Sequence, residues 1–219
     1  MNQPKTQEAT KDVSTKDKLI KHYEKDALIY DFNRRFFLFG RNDMITQIGA
    51  SLNPTSILEI GCGTGVNLVK LGQLFPQAEL TGIDLSQDML NVAKTNLSAT
   101  KNVTLVNEMF DQNTVLPKFD LILCSYITST VPDLAALLKL ISAHLTRQGH
   151  FACVDFHSSN VGAFKRWISH SIPIRTQFPE ALLTPLFTPK LLQAKRAYCG
   201  IWRYFTYIGQ KLEQHEQQQ

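Results

Sequence analysis

The stretch ILEIGCGTG, Ile57 to Gly65, decides the architecture. A short apolar run carrying one acid, Glu59, leads into three glycines within five positions. SILEI reads as a strand and VNLVKLGQLF as a helix, so the glycines occupy a strand-to-helix turn. Glycine reaches φ values closed to other residues and lets the backbone come close to another group. Ligands of open α/β sheets bind beyond the carboxyl ends of strands, where this turn lies. A tight turn without a ligand would also use glycine, so the loop alone leaves both readings open. A dinucleotide fingerprint fits poorly, because GCGTG lacks the third glycine at GxGxxG spacing.

Outward from the loop, strands and helices alternate. ELTGID, VTLVNE, FDLILCS and HFACVDF read as strands. SQDMLNVAKTNLS and PDLAALLKLISAHL carry apolar residues at helical spacing. Near-continuous apolar strands separated by helices predict a parallel sheet covered on both faces. The carboxyl end departs from this pattern. LLQAKRAY and IWRYFTYIG, joined at Cys199-Gly200, predict a β-hairpin with one strand edge-like and rich in aromatics. On the amino-terminal side a helical stretch runs from about Lys16 to Ile48, broken near Gly40.

Composition narrows the function classes. The 219 residues, 43% hydrophobic, suffice for one sizeable core. No apolar run approaches the roughly 20 residues of a membrane span. The polar amino terminus has no apolar core, so no signal peptide is expected. The cysteines at 62, 124, 153 and 199 form no CxxC pair, which argues against a metal cluster or disulfide framework and fits a reducing cytosol. A net charge of +4 is too small to imply a nucleic-acid partner. No metal site is expected.

Two carboxylates follow the loop at strand ends. Asp84 closes the second strand, where an acid can accept both hydroxyls of a ribose, although a solvated strand-end Asp is as natural. Glu108, Met109 and Phe110 follow the third strand, where a carboxylate could accept from an adenine amine between two apolar side chains. No lysine follows the loop to bind phosphate, so a nucleoside without phosphates fits better than a nucleotide.

The motifs LEIGCGTG, GIDLSQDML, FDLILCSYITSTVPD and LTRQGHFACVDF together resemble the class I S-adenosylmethionine-dependent methyltransferases, across about residues 20–210. The resemblance implies a Rossmann-like, doubly wound seven-stranded α/β sheet, mostly parallel with an antiparallel hairpin at its C-terminal edge. It implies S-adenosylmethionine as cofactor and S-adenosylhomocysteine as product. Glu59, Gly61, Cys62, Gly63 and Gly65 match the loop around the methionine portion. Asp84 matches the ribose acid, with Leu85 and Met89 beside the adenine, and Glu108, Met109 and Phe110 match the adenine-reading segment. Cys124 and Tyr126 match positions after the fourth strand that line the methyl-transfer site, with Tyr126 orienting the acceptor. The family often has Asp at the position of Glu108, and LxPGG where this chain has LTRQGH.

Residues 1–15 are expected to be disordered and 16–55 to form an N-terminal helical lid. Residues 56–210 would be the core, with an acceptor insertion at about 157–190, and 211–219 a frayed tail. Tyr23 and Tyr30, seven apart and near one helical face, would with Arg41 lid the cofactor; a helix merely covering a sheet edge is the alternative. His157, and less favourably His170, are candidate bases, although a strand-end His also serves as a structural hydrogen-bonder.

The segments 23–41, VDFHSSNVGAFKRWISH and RAYCGIWRYFTYIGQ resemble bacterial N-methyltransferases of lipid head groups, including betaine-lipid synthases and phosphatidylethanolamine-methylating enzymes. That likeness implies a lipid head-group amine as acceptor and a cytoplasmic protein making peripheral contact with the inner membrane. Arg34, Arg35, Phe36, Phe37 and Phe39, then Lys165, Arg166 and Trp167, mix cations with aromatics in a way that suits an anionic lipid surface, although a helix with core phenylalanines and solvated charges shows the same mixture. Trp167, Trp202 and Tyr204 would contact the acceptor, the last two by cation–π contact with a methylated ammonium. A soluble acceptor (a quinone precursor or a metabolite amine) and a non-catalytic S-adenosylmethionine-binding regulator are the alternatives. Oligomeric state is not legible.

Overall fold

The computed structural model describes residues 38–159, 180–197, 200 and 202–213. In chain order the elements are α1 (Arg41–Ser51), β1 (Ser56–Ile60), α2 (Val66–Leu74), β2 (Glu79–Ile83) and α3 (Gln87–Asn96). There follow β3 (Val103–Val106), β4 (Phe119–Ser125), α4 (Leu134–His144), β5 (Leu145–Ser159), β6 (Phe187–Ala197) and β7 (Trp202–Lys211). Seven strands form one sheet in the order β3-β2-β1-β4-β5-β7-β6. The first five are parallel, and β7 inserts antiparallel between β5 and β6. The strand order reverses between β1 and β4, so the sheet is doubly wound with its switch point at the glycine-rich turn.

Burial on both faces explains the near-continuous apolar strands. Ile57, Leu121, Leu123, Ala152 and Val154 pack with Met44 and Ile48 of α1, Leu68 and Leu71 of α2, and Ala93 of α3. Alternate strand residues, Leu58, Ile122, Phe151 and Cys153, pack with Leu134, Leu138 and Ile141 of α4. This is the period-2 alternation of a sheet covered by helices on both sides.

The hairpin differs from its expectation in one respect. The edge strand and the aromatic strand are not the same strand. β6 is the edge and mostly exposed, whereas β7, with Trp202, Tyr204, Phe205 and Tyr207, is interior and buried. The large rings belong where two neighbouring strands and both helix layers can cover them.

The helical stretch expected before Gly40 lies outside the described residues, and Gly40 itself caps α1 in the left-handed region at φ 80°. A Cβ there would overlap the Tyr204 ring, so the turn and β7 are packed together. Asp43 fastens α1 to the hairpin, receiving Lys195 Nζ at 2.7 Å and the Tyr204 hydroxyl at 3.4 Å. Tyr23, Tyr30 and Trp167 lie outside the described residues, as do the first fifteen residues, most of the expected lid and insertion, and the end of the tail.

Candidate functional site

The loop after β1 curls back on β2. The N–H groups of Gly61 and Cys62 both donate to the Ile83 carbonyl, at 2.8 and 3.2 Å. Gly61, Gly63 and Gly65 all have positive φ, at 67°, 53° and 75°. What each would meet with a side chain differs. A Cβ at Gly61 would overlap Ile127, and one at Gly65 would press on Leu97 Cδ1 at 2.9 Å. A Cβ at Gly63 would meet nothing within 4 Å. Two of the glycines therefore make room for the protein itself, and only Gly63 borders open space.

Asp84 stands beside that space. The Gly63 N–H donates to Asp84 Oδ2 at 2.8 Å, and the Ser86 N–H donates to Asp84 Oδ1 at 2.9 Å. These two bonds orient the carboxylate at the end of β2. Asn107, beyond β3, donates its amide to the carbonyls of Asp84 and Leu85 at 3.1 and 3.0 Å, holding the acidic turn against its neighbour strand. Leu85 is half-buried beside it, and Met89 is buried in the first turn of α3, whose cap is Ser86.

Glu59 is a buried acid on the loop side of the site. It is 1% exposed; its Oε1 accepts the Asn67 amide at 2.7 Å, and its Oε2 has no hydrogen-bond partner among the described residues. Burial raises its pKa to about 8, against the lowering effects of Asn67 and of Arg41, the first residue of α1. A buried carboxylate with one unsatisfied oxygen suits a cationic or proton-donating group of a ligand. Cys62 is buried against Gly82, and desolvation pushes its thiol well above the ordinary range.

The segment after β4 forms the opposite wall. Tyr126 sits in the left-handed region at φ 60°, anchored by its N–H to the Val154 carbonyl at 2.8 Å. Its hydroxyl donates to the Phe39 carbonyl at 2.7 Å, tying this wall to the turn before α1. Burial pushes the phenol pKa far up, which keeps the hydroxyl protonated and donating to Phe39. Ile127 covers Gly61. Thr128 and Ser129 are held by Asp155 of β5, which is fully buried. Asp155 Oδ2 accepts the Thr128 hydroxyl at 2.6 Å and the Ser129 N–H at 2.9 Å.

Other expected site residues are distributed differently. Cys124 stands inside β4, not after it, and faces the α4 layer in the core. Phe110 turns away from the acidic turns. Its ring lies edge-on to His144, the last residue of α4, at 5.1 Å, because that helix end offers it an apolar cover. Glu108 is exposed and Met109 half-buried, its carbonyl accepting the Thr114 hydroxyl at 3.1 Å. Trp202 and Tyr204 are core residues beneath Phe39, with ring centroids 5.7 and 6.3 Å from it.

Tyr126 and His157 fall on opposite faces of the sheet. Tyr126 packs on Phe156 at 4.9 Å in the α1 layer, while His157 lies 6.5 Å from Phe205 in the α4 layer. His157 occupies a bulge, since pairing passes from Phe156–Tyr204 directly to Ser158–Arg203.

Asn67, Asn107, Ile127 and Asp155 escaped the sequence reading. An acid inside the apolar strand HFACVDF was a usable signal for Asp155. Nothing local marks the other three.

The fold has known counterparts. The methyltransferase domain family matches residues 58–151. The chain is similar to the malonyl-[acyl-carrier protein] O-methyltransferase of Bacillus anthracis, 34% identical over 93 residues that make 42% of this chain and 34% of that protein. It is also similar to the demethylmenaquinone methyltransferase of Staphylococcus aureus, 31% identical over 118 residues, 51% of this chain and 47% of the other. The chain thus spans about half or less of the length of these curated relatives.

Among solved structures, it superposes on the Burkholderia thailandensis 1,6-didemethyltoxoflavin-N1-methyltransferase, bound to 1,6-didemethyltoxoflavin and S-adenosylhomocysteine. The TM-score is 0.70 at 18% identity, covering 97% of this chain and 94% of that one. The N-methyltransferase NodS of Bradyrhizobium japonicum, bound to S-adenosylhomocysteine, gives 0.64 at 16% identity, covering 79% and 86%. Residues 58–151 thus match a methyltransferase domain, and the fold is that of these solved methyltransferases.

Proposed function

We propose that this chain transfers a methyl group from S-adenosylmethionine to a small organic acceptor. The observation that carries the reading is the open space at Gly63, whose N–H donates to the oriented Asp84 carboxylate, on a loop that follows the buried Glu59 with its unsatisfied oxygen. The residues fit the cofactor. Asp84 would hold the ribose hydroxyls, Gly63 would let the backbone approach, and Glu59 would face the charged methionine end. When bound, the cofactor supplies a methyl group already made electrophilic by its sulfonium. The remaining task of the chain is positioning and water exclusion, carried by Ile127, Tyr126 and the Phe39 turn.

A nitrogen acceptor suits this wall best. An amine attacks once it has lost a proton, which water or a weak acceptor can remove, whereas an oxygen acceptor calls for a placed base. Tyr126 is committed to Phe39, so among the described residues His157 is the candidate base to test. With an amine acceptor, His157→Ala should cost about 10- to 100-fold in rate; with an oxygen acceptor the loss should be larger, toward the 10⁴-fold that general-base catalysis can supply.

A lipid head-group amine, with the protein cytoplasmic and peripheral on the inner membrane, is the second reading. It rests on the resemblance of the segments around Phe39, His157 and Trp202; the curated relatives above are named for other acceptors. Calorimetry with S-adenosylhomocysteine, followed by mass spectrometry of lipid and small-molecule extracts with and without the expressed chain, tests both readings. Absence of S-adenosylhomocysteine binding would overturn the first. Methylated lipids absent beside a methylated soluble product would overturn the second.

A further inference from the structure

The sequence is electrically lopsided. Between Asp155 and Glu213 there is one acid, Glu180, against eight Lys and Arg residues. The chain as a whole holds 23 Lys and Arg against 19 Asp and Glu, so the remainder is net acidic. This cationic stretch follows β5 and includes the β6–β7 hairpin.

The hairpin concentrates part of that charge in an unfavourable arrangement. Arg196 of β6 and Arg203 of β7 are direct cross-strand partners. Directly opposite residues of an antiparallel pair project from the same face about 5 Å apart, and like charges there destabilise the pair. No ion pair with an acid relieves either one among the described residues, whereas the neighbouring Lys195 is paired with Asp43. Arg196 is exposed and Arg203 half-exposed.

Their position is informative. The hairpin tip lies beside Ser158 and Ser159, at the carboxyl end of β5, because Trp202 pairs with Ser159 and Arg203 with Ser158. This is the same rim as the Gly63 loop. Arg203 alternates with the buried Trp202 and Tyr204 of the α1 layer, so it projects from the α4 face, as does His157. Arg203 stands two strands beyond β4, roughly 10 Å at ordinary strand spacing. A small acceptor with its nucleophile at the end of β4 would reach that far.

We propose that Arg196 and Arg203, with His157 beside them, form an anion-binding subsite that receives an oxyanion (phosphate or carboxylate) of the methyl acceptor. Two guanidiniums on one face present parallel donor forks suited to such a group, and the anion removes their mutual repulsion. The assignment deepens the methyltransferase reading and rests on it for the identity of the ligand as acceptor. The oxyanion could come from a soluble metabolite or from a lipid head group.

The test uses the full chain with S-adenosylhomocysteine present, comparing wild type, the double variant Arg196→Gln/Arg203→Gln, and Lys139→Gln, an exposed α4 control. One arm measures inorganic pyrophosphate binding by calorimetry; the other measures flotation with vesicles containing phosphatidylglycerol. The double variant is expected to lose at least tenfold affinity in one arm while the control keeps it, and the affected arm identifies a soluble or a lipid source. Equal binding by the double variant and the control in both arms overturns the subsite. S-adenosylhomocysteine affinity is expected to be unchanged in all three proteins. Its failure to bind wild type would overturn the methyltransferase reading separately.

Discussion

Asp155 and Thr128 meet at 2.6 Å, the buried carboxylate of β5 accepting the hydroxyl of the segment that follows β4. The same carboxylate takes the Ser129 and Phe156 N–H groups at 2.9 and 2.7 Å. Because Ile127 precedes this clamp and lies over Gly61, the acid determines how closely the wall approaches the cofactor loop.

Asp155→Ala strands three donors, each worth roughly 1–3 kcal/mol when buried and unsatisfied. The variant is expected to lose about 3 kcal/mol or more in urea unfolding and to bind S-adenosylhomocysteine more weakly. Asp155→Asn, which keeps an acceptor, should lose less in both. Equal stability of Asp155→Ala and wild type would show that the clamp carries no load.

The three loop glycines should respond differently. Gly63→Ala meets no protein atom, so its folding cost is the left-handed backbone alone, roughly 1–2 kcal/mol, while cofactor affinity falls steeply. Gly61→Ala should be the more destabilising because of Ile127, and Ile127→Ala should partly rescue it. Melting temperature and S-adenosylhomocysteine calorimetry on the three variants separate a filled cradle from a broken turn.

Removing the Asp84 carboxylate should weaken the cofactor. Hydrogen bonds to a charged group contribute roughly 1.5–3 kcal/mol, so Asp84→Ala should bind S-adenosylhomocysteine ~10- to 100-fold less tightly. Unchanged affinity in a folded variant would displace the ribose from this position.

Glu59 predicts a pH dependence. Its folded pKa, about 8, lies above the ordinary 4.5, so its contribution to stability is full below pH 4.5 and is lost as pH rises toward 8. The linkage conversion bounds that loss at roughly 5 kcal/mol. In the ligand-free protein, Glu59→Gln should flatten the slope of stability between pH 5 and 8. If the cofactor cation draws Glu59 into its charged form, binding at pH 7 should release a proton, read as a binding enthalpy that varies with the buffer. A slope unchanged by Glu59→Gln would reassign it.

The acid that closes β2, the glycine turn and the order of strands and helices could be read locally. Each depends on neighbouring residues, through side-chain period and glycine's backbone freedom. Phe110 could not be read that way: part of the expected adenine segment in sequence, it is drawn to His144, which lies 34 positions on in the chain. Trp202 and Tyr204 likewise look like acceptor contacts in an aromatic run, yet the insertion of β7 between β5 and β6 makes them core.

The sequence by itself determined the parallel α/β sheet, the turn at Gly61–Gly65 and the acid at Asp84, since apolar periodicity and positive-φ turns are written in adjacent residues. Only the tertiary structure decided that Gly63 alone faces open space and that Tyr126 and His157 occupy opposite faces. It also decided that Asp155 supports the wall and that Arg196 stands against Arg203. Those relationships join residues from 7 to 66 positions apart, and strand register and packing, which no local pattern encodes, bring them together.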